Sequence, residues 1–209
     1  MENPDDILNK VLVLYRKYGI KSVTMEDISR ELGISKKTLY NYFKDKEDLV
    51  NKVIHHEFDL KEQCFDVIIN EDSNAIEQLF DFNNFMKEQI KYFSPSLDYD
   101  LRKYYPNIYN ELHQKKRNRM FNAVKGNILQ GKKEGIYREE INEELISKLY
   151  VARMDNIHED EYFQTEEFVS AECFREMFIY HIRGIANAKG IEILEANIDK
   201  LKQQKTYEN

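Results

Sequence analysis

Between Ser35 and Lys46 the chain sets four lysines, Lys36, Lys37, Lys44 and Lys46, against one acid, Asp45. Thr38, Tyr40, Asn41 and Tyr42 lie among them. These types suit binding rather than bond-breaking. Lysine donates to phosphate and to guanine, an amide pairs with adenine edges, and threonine or tyrosine bonds phosphate or touches thymine methyls. No nucleophile, histidine and carboxylate stand together anywhere in the chain, and no glycine-rich phosphate loop is present. His55 and His56 are adjacent, so on a helix they point to different faces and do not share a metal. The chemistry on offer is recognition of an anionic, base-bearing partner. Neither an enzyme nor a bound cofactor or metal is indicated.

The lysine segment has the periodicity of a short helix. At about 100° per residue, Leu39 and Phe43 share a narrow apolar arc. Lys36, Lys37, Tyr40, Asn41 and Lys44 occupy the broad opposite arc, with Thr38 and Tyr42 at its flank. Punctuation around it is dense. Thr24 is an N-cap candidate with Asp27 three residues on, the pattern of a reciprocal cap. Ile28 and Leu32 follow one turn apart, and Gly33 supplies a stop. Ser35 caps the next helix from Lys36, and Asp45 caps a fourth with Asp48 at its third position. Upstream, Asn3, Pro4, Asp5 and Asp6 open a helix carrying Ile7, Val11, Leu14, Tyr15 and Tyr18, which Gly19 closes. Helix, tight turn at Gly33 and Ile34, and second helix is the helix-turn-helix layout, between Thr24 and Phe43. Leu39 and Phe43 are expected to dock on Ile28, Leu32 and Ile34.

The rest of the chain also reads as helical. Glycine and proline are scarce, and the only prolines are Pro4, Pro95 and Pro106. The fourth helix runs through Ile54, Phe58 and Phe65 toward Asn70. Further helices are predicted over about Asn74–Phe93, Tyr99–Tyr105, Pro106–Gly131, Glu143–Ile157 and Thr165–Asn187, with a tail helix from Ile191. The acidic stretch Ile157–Gln164 is predicted to be an exposed loop. Aromatics crowd the middle, and ordinary packing accounts for many of them. The excess indicates a pocket for an apolar or aromatic ligand, with Phe58, Phe65, Phe82, Phe85, Tyr104 and Phe121 as candidate lining.

The net charge of −7 runs against a nucleic-acid partner. Its distribution does not: nine Lys and Arg balance nine Asp and Glu up to Val50, so the remainder carries the whole excess. The acidic start is not a signal peptide, and no apolar run suggests a membrane span. Cys64 and Cys173 are isolated within apolar-periodic segments, which predicts buried thiols in a reducing, cytoplasmic setting.

The segment TMEDISRELGISKKTLYNYFKDKEDLV resembles the DNA-binding head of the TetR family of bacterial regulators. The resemblance is carried by Thr24, Ile28-Ser29, Gly33, Ser35, Thr38-Leu39-Tyr40, Phe43, Lys46 and Leu49. Ser29 stands where alanine is usual and Tyr42 where histidine is common. It implies an all-α fold: a three-helix DNA-binding head, residues 1–46, on a larger helical ligand-binding and dimerisation body, residues 47–209. It implies that Thr24, Thr38, Tyr42 and Lys46 hold phosphates of double-stranded operator DNA while Lys36, Lys37, Tyr40 and Asn41 face bases. It implies a homodimer through a four-helix interface, for which Leu145, Leu149 and Ala152 on one helix and Phe174, Phe178, Ile182 and Ile185 on another are the candidates. The implied function is a sequence-specific transcriptional regulator, by analogy a ligand-responsive repressor. The alternative is a ligand-independent, DNA-bound architectural or partner-recruiting protein.

Overall fold

The computed structural model describes residues 3–69, 73–156 and 170–201. Among them are ten α-helices and no strand longer than an isolated bridge. The chain packs as two units. One holds the residues up to Cys64 together with Tyr92–Lys115, and the other holds Phe65–Lys91 with the residues from Lys116 on.

In the first unit, α1 (Pro4–Tyr18) begins as its capping pattern dictates, with the Asn3 side chain accepting the Asp5 N–H at 3.3 Å. Gly19 ends it at φ +79°, a conformation that side-chain-bearing residues avoid. α2 (Met25–Leu32) and α3 (Lys36–Tyr42) follow, and α4 (Lys46–Ile69) is one unbroken helix. The core joins Ile7, Val11 and Tyr15 of α1 to Ile28, Leu39, Leu49 and Val53. It does not stop near residue 46. Leu97 of α6 (Pro95–Tyr104) and Leu112 of α7 (Pro106–Lys133) belong to the same cluster. The Asp100 carboxylate of α6 is buried and accepts the Lys21 N–H at 2.7 Å, which pins the turn between α1 and α2.

The second unit is built from α5 (Ala75–Lys91), the later part of α7, α8 (Glu143–Asn156), α9 (Ala171–Ile185) and α10 (Ala188–Asn197), with a closing 3₁₀ turn over Ile198–Leu201. Its core gathers Ile76, Phe80, Val124, Ile128, Tyr137, Ile182, Ile185 and Leu194. The Glu134 carboxylate caps α5 by accepting the Ala75 N–H at 2.9 Å. Tyr137 lies flat against Gly131, where a Cβ would collide with its ring.

Several boundaries differ from the sequence reading. α6 begins at Pro95, not Tyr99, because Ser94 caps it, its hydroxyl accepting the Leu97 N–H at 3.3 Å. α9 ends at Ile185, not Asn187, because Ala186 turns extended and pairs with Tyr137. Asn187 then caps a tail helix that begins at Ala188, earlier than Ile191, accepting the Gly190 N–H at 3.1 Å. α7 runs to Lys133 through Gly131. The predicted loop Ile157–Gln164 and the predicted helix start at Thr165 lie outside the described residues. Cys173 is half-buried, but Cys64 is exposed rather than buried.

Candidate functional site

The helix-turn-helix is held by its own side chains. The Thr24 hydroxyl accepts the Asp27 N–H at 3.1 Å and donates to the Asp27 carboxylate at 2.6 Å, while the Thr24 N–H reaches that carboxylate at 3.0 Å. This reciprocal cap fixes the start of α2. Gly33 takes the left-handed conformation at φ +66° and the Ile34 N–H returns to the Ser29 carbonyl at 3.0 Å. Ser29 is buried, and its hydroxyl donates to the Met25 carbonyl at 2.8 Å. A serine therefore replaces the usual alanine with no unsatisfied group. Ser35 caps α3, its hydroxyl accepting the Thr38 N–H at 3.0 Å and sharing a hydrogen bond with the Thr38 hydroxyl at 2.8 Å.

The rotation of α3 follows the apolar seam. Leu39 and Phe43 are buried, and Ile34 packs half-buried against the same core. Lys36, Lys37, Tyr40 and Asn41 are exposed, so all four proposed base-facing residues share the open face. Lys36 pairs with Glu26 at 2.7 Å, which raises its pKa.

The four residues assigned to phosphates are more committed. Thr24 and Thr38 spend their hydroxyls on caps, and Tyr42 is half-buried against the head core. The Lys46 ammonium donates to the Ile20 carbonyl at 2.6 Å and, more weakly, to the Lys21 carbonyl at 3.5 Å. Burial, and then the Lys21 charge, lower its pKa. Lys46 thus ties the start of α4 to the turn after α1. Lys46→Met is expected to lower the head's melting stability by about 1–2 kcal/mol, the range for a hydrogen bond from a charged donor at a part-screened site. A melt indistinguishable from wild type would show that the clamp contributes nothing. Lys52, which the sequence reading passed over, donates to Asp48 at 2.8 Å and lies over the Phe43 ring at 5.3 Å.

The second unit contains a cavity of about 230 Å³. Phe65, Ile69, Leu79, Phe82, Met120 and Val124 form its apolar wall. Gln78, Asn122, Asn127, Gln130 and Tyr150 supply the polar lining. Of the six aromatics expected to line a pocket, Phe65 and Phe82 do so, edge to face at 5.5 Å. Phe85 packs behind, 6.3 Å from Phe65. The others are corrected by their neighbours. Phe58 packs on the head core, Tyr104 lies beneath the Lys21 and Lys103 ammoniums, and Phe121 meets Lys125. Composition could not separate these roles. A better signal was the three amides Asn122, Asn127 and Gln130, which fall within one arc of about 140° in the middle of α7.

The cavity's amides are unequally occupied. Asn127 accepts the Tyr137 hydroxyl at 3.0 Å and donates to the Ala75 carbonyl at 2.7 Å. Gln78 is held only by long contacts, 3.4 Å from its Nε2 to the Ile69 carbonyl and 3.4 Å from Asn127 Nδ2 to its Oε1. Gly126 also lines the cavity, deep inside α7. A Cβ there would meet nothing within 4 Å, and the backbone is ordinary helix. Glycine at such a position costs about 1 kcal/mol relative to alanine. Neither a turn nor a close approach accounts for it.

The expected dimer residues divide into two sets. Leu145 and Leu149 on α8 are 54% and 58% exposed, and Tyr180 on α9 is 75% exposed. Phe174, Ile182 and Ile185 are instead buried in the protomer's own core, and Phe178 is half-buried 5.1 Å from Phe80. Phe174, Ile182 and Ile185 turn inward, where α9 packs on α5 and α10, and are not available to a partner, whereas Phe178 keeps part of its surface.

Among the described residues the chain is helical, with a capped helix-turn-helix in the first unit and a cavity in the second. Residues 7–53 match the family of bacterial regulatory proteins described as the tetR family. An HTH-type transcriptional regulator of Staphylococcus aureus is 43% identical over 44 residues, which are 21% of this chain and 24% of that protein's length. The chain is thus matched to its curated relatives over about a quarter of their length. Beyond the head the likeness is one of fold. A TetR-family regulator from Marinobacter aquaeolei superposes with a TM-score of 0.71 at 20% identity, covering 96% of this chain and 99% of its own. A transcriptional regulator from Cytophaga hutchinsonii gives 0.72 at 18% identity, covering 88% and 98%. No helix among the described residues is long and apolar enough to cross a membrane.

Proposed function

We propose that the protein is a DNA-binding transcriptional regulator, a homodimeric repressor whose grip on its operator is loosened by a small molecule in the second unit. The observation that carries this reading is the face of α3. Leu39 and Phe43 anchor the helix inward while Lys36, Lys37, Tyr40 and Asn41 stand in solvent, the arrangement a major groove needs. The exposed Leu145, Leu149 and Tyr180 supply an apolar surface for a second copy. Continuity of α4 supports the coupling. Leu49, Val50 and Val53 root it in the head core, and Phe65, Ile68 and Ile69 of the same helix line the cavity. A ligand shifts the equilibrium between binding-competent and incompetent forms only by its difference in affinity for them.

The test begins with duplexes selected from a random pool by the full-length chain. Asn41→Ala is expected to weaken binding of the selected duplex by about 1–3 kcal/mol and to relax preference at one base pair, as the loss of an amide–adenine pair does. Lys37→Ala is expected to reduce the log–log salt slope by no more than about 0.9, one counterion's share. If Asn41→Ala and Tyr40→Ala both bind the selected duplex as tightly as wild type, α3 is not the reading helix.

A further inference from the structure

We infer that the cavity of the second unit takes a neutral molecule of about one substituted ring, that Gln78 holds its polar end, and that it enters past Gly126. This deepens, and rests on, the reading of the protein as ligand-controlled.

Size follows from volume. An apolar cavity of about 150 Å³ accepts benzene, so about 230 Å³ takes a ring with a short substituent. Charge follows from the lining. Among the described residues that form it, none is Asp, Glu, Lys, Arg or His. Two guanidiniums stand against lining rings, Arg119 over Phe65 at 5.1 Å and Arg153 over Tyr150 at 5.2 Å, but neither lines the cavity and Arg119 is paired with Asp66. A carboxylate, phosphate or ammonium inside meets no charged lining group, and a buried charge without one is strongly disfavoured. The nearest carboxylate on the network, Glu134, is already engaged with Gln130 at 2.7 Å and with the start of α5. It opposes an anion further.

Polarity is placed by the unequal amides. Asn127 is fixed between Tyr137 and Ala75, whereas Gln78 makes only contacts at the long limit. A primary amide offers two donors and one carbonyl acceptor. Gln78 can therefore exchange weak contacts for strong ones with a ligand carbonyl, hydroxyl or amide.

The entrance is placed by Gly126. Gly126 and Asn122 sit one turn apart on α7, both are exposed, and both line the cavity. The open space above the Gly126 Cα is thus at once cavity wall and protein surface. Helix propensity disfavours glycine there, and the gap it leaves is what a passing ligand requires.

Three probes of nearly equal shape test this on the full-length chain at neutral pH: phenylacetamide, phenylacetate and phenethylammonium, titrated by calorimetry. The neutral amide is expected to bind at least tenfold more tightly than either ion. Gln78→Leu should remove most of that advantage. Gly126→Phe should weaken the amide at least tenfold while the melting temperature stays at or above that of wild type. Either ion binding as tightly as the amide, none of the three binding at millimolar concentration, or Gly126→Phe binding like wild type would overturn the inference. Because the wild-type series needs no variant, a Gly126→Phe chain that misfolds does not rescue it. Phenylacetamide that binds as expected but leaves affinity for the selected duplex unchanged supports the site and overturns ligand control, so the two failures are distinct.

Discussion

Ile182→Glu is expected to unfold the second unit, whereas Leu149→Glu leaves each protomer folded and separates the copies. The two residues were equivalent dimer candidates by sequence, and the structure divides them. Ile182 is fully buried in the cluster with Phe80, Ile128 and Leu194, so an ionised carboxylate there has no basic partner. The cost of a buried unpaired charge, or of the protonation that avoids it, together with the misfit of a polar side chain, exceeds about 4 kcal/mol. That is a large share of the roughly 5–15 kcal/mol that stabilises an ordinary domain. Leu149 stands more than half in solvent, where a substitution shifts protomer stability by only about 0.5 kcal/mol. In the proposed dimer its effect falls on association, because a carboxylate set into a two-fold interface loses its water and faces its own copy. Circular dichroism in urea reads the first outcome and sedimentation velocity the second. A Leu149→Glu chain that still sediments as a dimer would place the interface elsewhere than α8. An Ile182→Glu chain that melts like wild type would mean that α9 is packed with a different face inward.

The contrast shows which signals a sequence carries. The head was legible because its determinants are local. Thr24 with Asp27, Gly33, and Ser35 with Thr38 each act within four residues, and each makes the hydrogen bond its spacing implies. The inward seam of Leu39 and Phe43 follows from the helical period alone. What could not be read is which partner a side chain chooses at a distance. Lys46 looks like a phosphate ligand until the turn after α1 brings the Ile20 carbonyl beneath it. The stripe Phe174, Phe178, Ile182 and Ile185 announces cover without saying whether this chain or a second one supplies it. The aromatic excess pointed to a cavity in the body, yet Tyr104 and Phe58 serve the other unit. The polar lining was missed because amides inside a helix look like solvated surface. The end of α9 moved because a bridge between Tyr137 and Ala186, far apart in sequence, ends the helical run.

Stability is expected to fall on acidification from pH 7.5 to pH 5, and one histidine is expected to supply much of the loss. His181 on α9 has its Nε2 buried with no hydrogen-bond partner. The Tyr150 ring of α8 meets it edge to face at 4.8 Å, and the Arg153 guanidinium lies over that ring at 5.2 Å. Burial first, and the Arg153 charge second, push its pKa down to about 4 from the ordinary 6.5. The folded chain therefore keeps this imidazole neutral in a range where the unfolded chain binds a proton. Stability rises with pH wherever the unfolded state holds more protons. The full contribution is present above pH 6.5 and is lost progressively as pH falls toward 4. At pH 5 the loss from this group is about 2 kcal/mol, at 1.36 kcal/mol per pH unit once the unfolded histidine is protonated. For a chain of this size that is about 4–8 °C in melting temperature. The check is urea unfolding at pH 7.5, 6.5, 5.5 and 5 for wild type and His181→Gln. The glutamine variant is expected to start less stable but to lose less with acid, because it has no proton to take up on unfolding. Parallel pH profiles for the two chains would mean that His181 titrates normally in the folded protein and that the α8–α9 contact admits water. A steeper profile in the variant would reverse the sign of the linkage and with it the neutral assignment.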